Sequence, residues 1–237
     1  MYENIFRRVE EKYLLTEDEL NKLFEKINKY LEKDKFYEST ICNIYFDNKN
    51  SDLIVNSLEK PIYKEKIRLR SYSKTPNLNS EVFLEKKDKY EGVVGKRRIK
   101  MTLGEFYDYI KNHKYDHNNQ IMKEIDYYIN YYNLEPAMYI AYDRQSFKGK
   151  DDSNLRITID TNLRSRCDDL RLELGDAGRR YFKNKYYLME IKTLGAMPLW
   201  LVRSLSELNI FPNSFSKYGK IYEDNYINMK EELIYAR

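Results

Sequence analysis

Lys64–Tyr72 reads KEKIRLRSY, and at a period of two it separates into two faces. Lys66, Arg68 and Arg70 fall on one side, with Lys64 and Tyr72 continuing the row; Ile67 and Leu69 fall on the other. Successive side chains of a strand point to opposite faces, so a strand with one cationic and one apolar face is expected. A single face of this kind is ordinarily solvated. Other segments repeat the pattern. Val82–Lys89 places Glu85, Lys87 and Lys89 together, with Lys86 opposite and expected to be nearly silent towards any ligand of that face. Tyr142, Arg144 and Ser146 share a side, as do Arg156, Thr158 and Asp160 opposite Leu155, Ile157 and Ile159. Glu190 and Lys192 alternate with Met189 and Ile191; Arg8, Glu10 and Lys12 share a face in Ile5–Leu15; Lys96 and Arg98 do so in Val93–Lys100. Many strands charged on one side and apolar on the other predict a barrel with a polar lumen.

The remaining segments supply turns and helices. Thr16 and Glu19 are spaced as a capping box, and Leu20, Leu23, Phe24, Ile27 and Leu31 form the apolar stripe of the helix that follows. Ser39–Asp47 is a strand, Lys49–Ser57 a polar connection or short helix, and Thr75–Ser80 and Tyr90–Gly92 are turns. Helices are expected from Thr102 and over 119–132, then strands over Met138–Phe147, Leu155–Thr161 and Tyr186–Thr193. Asp169–Lys185 fits no element. Pro198 opens one helix and Ser216–Tyr235 makes the last. About eight strands with helices between some of them give an α+β fold: an eight-stranded antiparallel β-barrel with flanking helices.

Composition narrows the class. With 237 residues, five Pro, eight Gly and no Pro/Gly/Ser-rich linker or internal repeat, one domain over 1–237 is expected. Mean hydropathy is −0.80, the apolar runs are too short to cross a bilayer, and MYENIFRRVEEKY lacks the apolar centre of a signal peptide. Cys42 and Cys167 have no metal-ligand spacing and read as packed thiols of a reduced, cytoplasmic protein. Net charge is only +4, so the distribution of charge along strands says more about partners than its total. Twenty-four Tyr among many Lys and Asn reflect AT-rich coding, not a nucleic-acid partner: a nucleic-acid barrel needs aromatic rows on an open face, and here the aromatics mostly alternate away from the cations.

The side chains expected to face inward are Arg8, Lys12, Lys66, Arg68, Arg70, Lys87, Lys96, Arg98, Arg144, Arg156 and Lys192, against Glu10, Glu85, Asp160 and Glu190. At an effective dielectric near 20, like charges about 4 Å apart repel by roughly 4 kcal/mol, and a polyanion would remove that repulsion. Arginine forks pair bidentately with phosphate and lysine serves as a point charge; several on different strands suit an extended run of phosphates. The carboxylates suit Mn²⁺ or Mg²⁺, which take hard oxygen donors and bridge to phosphate: Glu190 first, then Glu10 and Glu85, each with a neighbouring cation as the alternative partner. His113 and His117 lie in a polar loop, and no Ser/His/Asp pattern, P-loop or dinucleotide fingerprint is present.

These residues resemble a known family. Arg8-x-Glu10-x-Lys12-Tyr13, Tyr45-Phe46-Asp47, Arg68-Leu69-Arg70, Glu85-x-Lys87, Tyr142-Asp143-Arg144, Arg156–Asp160, Glu190-Ile191-Lys192 and Phe215-Ser216-Lys217-Tyr218 together look like the VTC domain, the catalytic module of the vacuolar transporter chaperone polyphosphate polymerases, within the triphosphate tunnel metalloenzymes. The resemblance runs from about Phe6 to Tyr218. It implies an eight-stranded tunnel and an ATP- and metal-dependent polyphosphate polymerase. By it Lys12, Arg68, Arg70, Lys87, Arg144, Arg156 and Lys192 bind phosphates, Glu190 holds the metal, Tyr142 is a further lumen contact, and Ser216 and Lys217 sit near the nucleotide or the tunnel mouth. The superfamily's first strand carries E-x-E-x-K, and here Arg8 replaces the first Glu, which favours the polymerase branch over the adenylate cyclase and thiamine triphosphatase branches. Eukaryotic members add an inositol-phosphate-sensing domain and membrane helices absent from this sequence, so a stand-alone enzyme of bacterial type is expected, with ATP and polyphosphate as partners; the sequence identifies no membrane-bound partner.

Phosphoryl transfer needs positioning and charge neutralisation more than a covalent nucleophile, and a terminal phosphate acceptor is already ionised. Two other readings use the same cradle: hydrolysis of tripolyphosphate or a nucleoside triphosphate, and non-enzymatic polyanion binding.

Overall fold

The computed structural model describes residues 8–91, 93–181 and 186–235, and for Arg8 and 227–235 the backbone alone. The expected strand start at Ile5, the Gly92 turn position and the Arg8 side chain lie outside the described residues. The elements are β1 (Arg8–Leu15), α1 (Glu17–Ile27), β2 (Leu31–Asp47), α2 (Asp52–Leu58), β3 (Tyr63–Ser71), β4 (Glu81–Tyr90), β5 (Val93–Thr102), α3 (Leu103–Asn112), α4 (Gln120–Tyr131), β6 (Glu135–Gly149), β7 (Arg156–Arg166), β8 (Arg179–Arg180), β9 (Tyr187–Leu194), α5 (Leu199–Glu207) and α6 (Lys217–Tyr235). The strands form an antiparallel sheet in the order β1-β9-β7-β6-β2-β3-β4-β5, with β8 beside β7. Among the described residues there are thus nine strands where eight were expected. The extra one is two residues long and lies in the stretch that the sequence left unplaced.

Local chemistry explains most boundaries. The capping box at α1 is present: the Thr16 hydroxyl accepts from the Glu19 N–H at 3.3 Å and the Glu19 carboxylate accepts from the Thr16 N–H at 2.7 Å. Thr102 and Glu105 do the same for α3. Leu31 corrects the expectation for α1. The helix stops at Ile27, a 3₁₀ turn covers Asn28–Tyr30, and Leu31 begins β2 instead of continuing the helical stripe. The i, i+4 spacing from Ile27 looked helical because Leu31 reaches the same apolar cluster from a strand. The early part of β2 carries no strand signal in the sequence because it is mostly exposed and shows no alternation. Cys42 is buried as expected, whereas Cys167 is exposed.

The chain divides into two compact units. One takes the segment ending at Ser39, Tyr142–Leu163 and the segment ending at Phe215; the other takes Thr40–Ala141, Arg164–Tyr181 and Ser216 onward. In the first, Tyr13, Ile157, Ile159, Met189 and Ile191 from the strands pack with Leu23, Ile27, Leu201 and Leu205 from α1 and α5. In the second, Ile44, Ile67, Leu69 and Leu84 pack with Phe106, Met122 and Ile125 from α3 and α4. Each buried side chain of this size contributes about 1.5–3 kcal/mol. Helices cover the apolar strand faces in both units, and the polar faces carry the candidate site residues.

Candidate functional site

In the second unit the strand register builds the cationic face rung by rung. Lys66 lies opposite Lys87, and Lys87 opposite Lys96. Arg68 lies between Tyr45 on β2 and Glu85 on β4, and Glu85 opposite Arg98. Arg70 lies between Asn43 and Phe83. Glu85 is the one acid among Lys66, Arg68, Arg70, Lys87, Lys96 and Arg98, and it is 1% exposed. Its Oε2 accepts from Arg68 Nε at 2.8 Å, Lys96 Nζ stands 2.7 Å from Oε1, and Arg70 and Arg98 approach to 3.9 Å. Burial pushes the Glu85 carboxyl up, but Arg68, Arg70 and Lys96 more than reverse this and hold it down to about 2. The repulsion expected from the sequence is thus partly offset by a counter-ion set among the cations. Arg98 stacks on Phe83 at 3.6 Å, Arg70 donates to Asn43 Oδ1 at 3.0 Å, and Lys66 donates to Ser216 Oγ at 2.9 Å.

Lys86 lies on the other side of β4, as expected, and is a packed residue there. It is buried between Glu65 at 3.7 Å and Asp88 at 3.6 Å, with its ammonium 4.0 Å from the Tyr128 ring centroid. Period two identified its face correctly but not the depth of its burial.

Ser216 caps α6, accepting from the Gly219 N–H at 3.2 Å, and Lys217 is the half-buried first residue of that helix. Tyr218 stacks on Tyr45 at 4.6 Å and donates to Asp47 Oδ2 at 3.1 Å, while Asp47 also accepts the N–H groups of Leu53 and Ile54 at the start of α2. Two quoted sequence segments, with contacts 171 and 173 positions apart, therefore meet beside Arg68. Asn43, Tyr45 and Asp47 alternate with the core residues Cys42, Ile44 and Phe46, a signal present in the sequence that could have placed them on the cationic face. Tyr45 OH accepts from Arg68 at 3.3 Å. Burial would raise its pKa; Arg68, Arg70 and Lys66 bring it down to about 8 instead. A depressed acid pKa adds stability that is fully present above the unfolded value near 10 and lost as pH falls through about 8. Tyrosinate absorbance should therefore show a step near pH 8 that Tyr45→Phe removes. Tripolyphosphate, by neutralising the cations, should move the step upward; a titration indifferent to tripolyphosphate would separate Tyr45 from any anion site.

In the first unit the rungs are Glu10–Lys192–Arg156 and Lys12–Glu190–Thr158. Lys12 Nζ stands 3.6 Å from Glu10 and donates to the Phe215 carbonyl at 3.1 Å. Lys192 pairs tightly with Glu190 and reaches Glu10 at 3.8 Å. Arg144 grips Asp160 bidentately at 2.6 and 2.8 Å, with its guanidinium 5.3 Å from the Tyr142 ring centroid. Burial opposes the Arg144 charge, but Tyr142 and Asp160 keep its pKa well above the ordinary value. Arg156, half exposed, is held by Asp34 at 3.1 Å and Ser146 at 3.1 Å. The structure thus gathers Glu10, Lys12, Glu190 and Lys192 into one cluster, while Arg144 and Arg156 are tied to acids. Thr158 Oγ1 is buried and has no hydrogen-bond partner among the described residues. Among the described residues no three His, Cys, Asp or Glu converge as a metal group. His113 and His117 follow α3, where their ring contacts are with Tyr109 and Tyr115.

The profile of the VTC domain family matches residues 7–224. Subunit 4 of the vacuolar transporter chaperone complex of Schizosaccharomyces pombe (strain 972 / ATCC 24843) is 28% identical over 166 residues, which is 60% of this chain and 23% of the relative. The match therefore spans about a quarter of that protein. A solved structure from Bacillus halodurans, assigned provisionally as an adenylate cyclase, superposes with a TM-score of 0.54 at 12% identity, covering 88% of this chain and 93% of its own. That likeness concerns the fold alone. Among the described residues no helix is long and apolar enough to cross a membrane.

Proposed function

The chain belongs to the VTC domain family, and on that premise we propose that it is an ATP-dependent polyphosphate polymerase, transferring the γ-phosphoryl group of ATP to the end of a growing polyphosphate chain. The observation that carries this reading is the face of Lys66, Arg68, Arg70, Lys87, Lys96 and Arg98 around the single acid Glu85. Fixed donors of this kind stabilise charge that develops on a transferring phosphoryl group, and they hold donor and acceptor phosphates without a covalent intermediate. Arg68 and Arg70 take phosphate oxygens with forked geometry, and Lys66, Lys87 and Lys96 add point charges. In the first unit Lys12 and Lys192 bind phosphate, with Arg144 and Arg156 held in place by their acids. Ser216 and Lys217, at the first turn of α6, contact the nucleotide phosphates.

A divalent ion, Mn²⁺ or Mg²⁺, fits the pair Glu10 and Glu190. Such ions bind through one or two carboxylates and complete their shell with substrate phosphates and water. The unpartnered Thr158 hydroxyl on the Glu190 rung adds an oxygen donor there. Glu85 does not fit a metal, because four cations already crowd it; it serves as counter-ion. When bound, the ion neutralises phosphate charge.

Purified protein incubated with ATP and Mn²⁺ should give a polyphosphate ladder on a gel. Glu190→Gln should lose the ladder yet bind tripolyphosphate in the absence of metal. Orthophosphate release without any ladder would replace the polymerase with a hydrolase. Wild-type turnover in the Glu190→Gln protein would reduce Glu190 to an ion-pair partner of Lys192.

A further inference from the structure

The cationic face of the second unit has one more rung than the proposed transferase site uses. Beyond Lys66 and Lys87, the register sets Lys64 opposite Lys89. Lys60 joins them from the turn after α2, where its backbone is left-handed with φ 56°. The acids of this stretch, Glu65 and Asp88, face the other side, where Lys86 engages them both. Among the described residues Lys60, Lys64 and Lys89 make no ion pair. The Lys64 ammonium is 3.5 Å from the Ser57 carbonyl. Its pKa is lowered by partial burial and then by Lys89 and Lys60, so the three charges feel one another with no carboxylate between them.

We propose that Lys64, Lys89 and Lys60 form a distal phosphate subsite that holds polyphosphate past the reach of a nucleoside triphosphate. This rests on the polyphosphate reading of the same face. From Arg70 to Lys64 is three two-residue steps along β3, about 20 Å at the usual rise of a strand. A triphosphate seated on the Arg68 and Lys66 rungs stops short of Lys64, whereas a longer chain continues onto it. The inner rungs have Glu85 as counter-ion, which offsets part of their charge when they are empty. The outer rung has no ion pair of its own among the described residues and is reached only by a chain that already fills the inner rungs, which makes it the part of the face most selective for chain length.

The experiment compares binding of tripolyphosphate and long-chain polyphosphate to the wild type, to Lys64→Ala/Lys89→Ala and to Arg68→Ala. The double variant is expected to lose about tenfold in affinity for the long chain, with a salt dependence smaller by roughly two released counter-ions, and under about twofold for tripolyphosphate. Arg68→Ala should lose both ligands. Equal binding of the long chain by wild type and double variant, or equal weakening of both ligands, overturns the subsite while leaving the polyphosphate reading in place. A wild type that binds neither ligand overturns that reading and the subsite with it. Vesicles containing phosphatidylserine make a third arm: weakening confined to them would assign the lysines to an anionic lipid surface and sink the subsite. Lys60→Ala, at an exposed position, should show the same selectivity in smaller measure and serves if the double variant does not fold.

Discussion

Glu85→Gln is expected to lower the melting temperature of the empty protein by about 10 °C. The carboxylate is buried and touches Arg68, Arg70, Lys96 and Arg98, so a neutral amide leaves four cations facing one another. Its depression to about 2 corresponds to roughly 3 kcal/mol, and in a chain of this length each kcal/mol moves the midpoint by about 2–4 °C. The sign with pH follows from the same shift. A carboxylate held below its unfolded value contributes stability above about pH 4 and loses it as pH falls through about 2. The gap between variant and wild type should therefore close in acid. It should also close at neutral pH when tripolyphosphate is added, because the anion supplies the missing counter-charge. A variant as stable as wild type, or one that polyphosphate fails to rescue, would mean that the cations do not depend on Glu85 or do not bind phosphate.

Arg68→Ala should weaken tripolyphosphate binding by about 50-fold, the worth of a charge-assisted hydrogen bond of 1.5–3 kcal/mol. Stability should change little. Glu85 keeps Arg70, Lys96 and Arg98, so loss of one attraction is set against relief of like-charge repulsion. Arg68→Lys should recover only part of the affinity, since an ammonium cannot make the forked contact. Calorimetric titration with tripolyphosphate at fixed ionic strength measures all three proteins. Equal affinity in wild type and Arg68→Ala would show that this face of β3 does not meet the substrate.

The alternation KEKIRLRSY determined by itself that β3 has a cationic and an apolar face, because a strand's side-chain period of two leaves no other assignment once Ile67 and Leu69 are buried. The same rule put Glu85, Lys87, Lys96 and Arg98 on the matching face, and Glu10, Lys12, Glu190 and Lys192 on one face of β1 and β9. Capping boxes at Thr16 and Thr102 were equally legible, since their chemistry is local to four residues. Partnership was not legible. Which cations Glu85 neutralises, that Arg144 is committed to Asp160, that Lys86 is buried under Tyr128, and that Tyr45 stacks on Tyr218 all depend on strand register and on helix placement, contacts between residues from 11 to 173 positions apart. Leu31 shows the same limit from the other side: its spacing suited a helix as well as a strand, and only the shape of the core it entered decided between them.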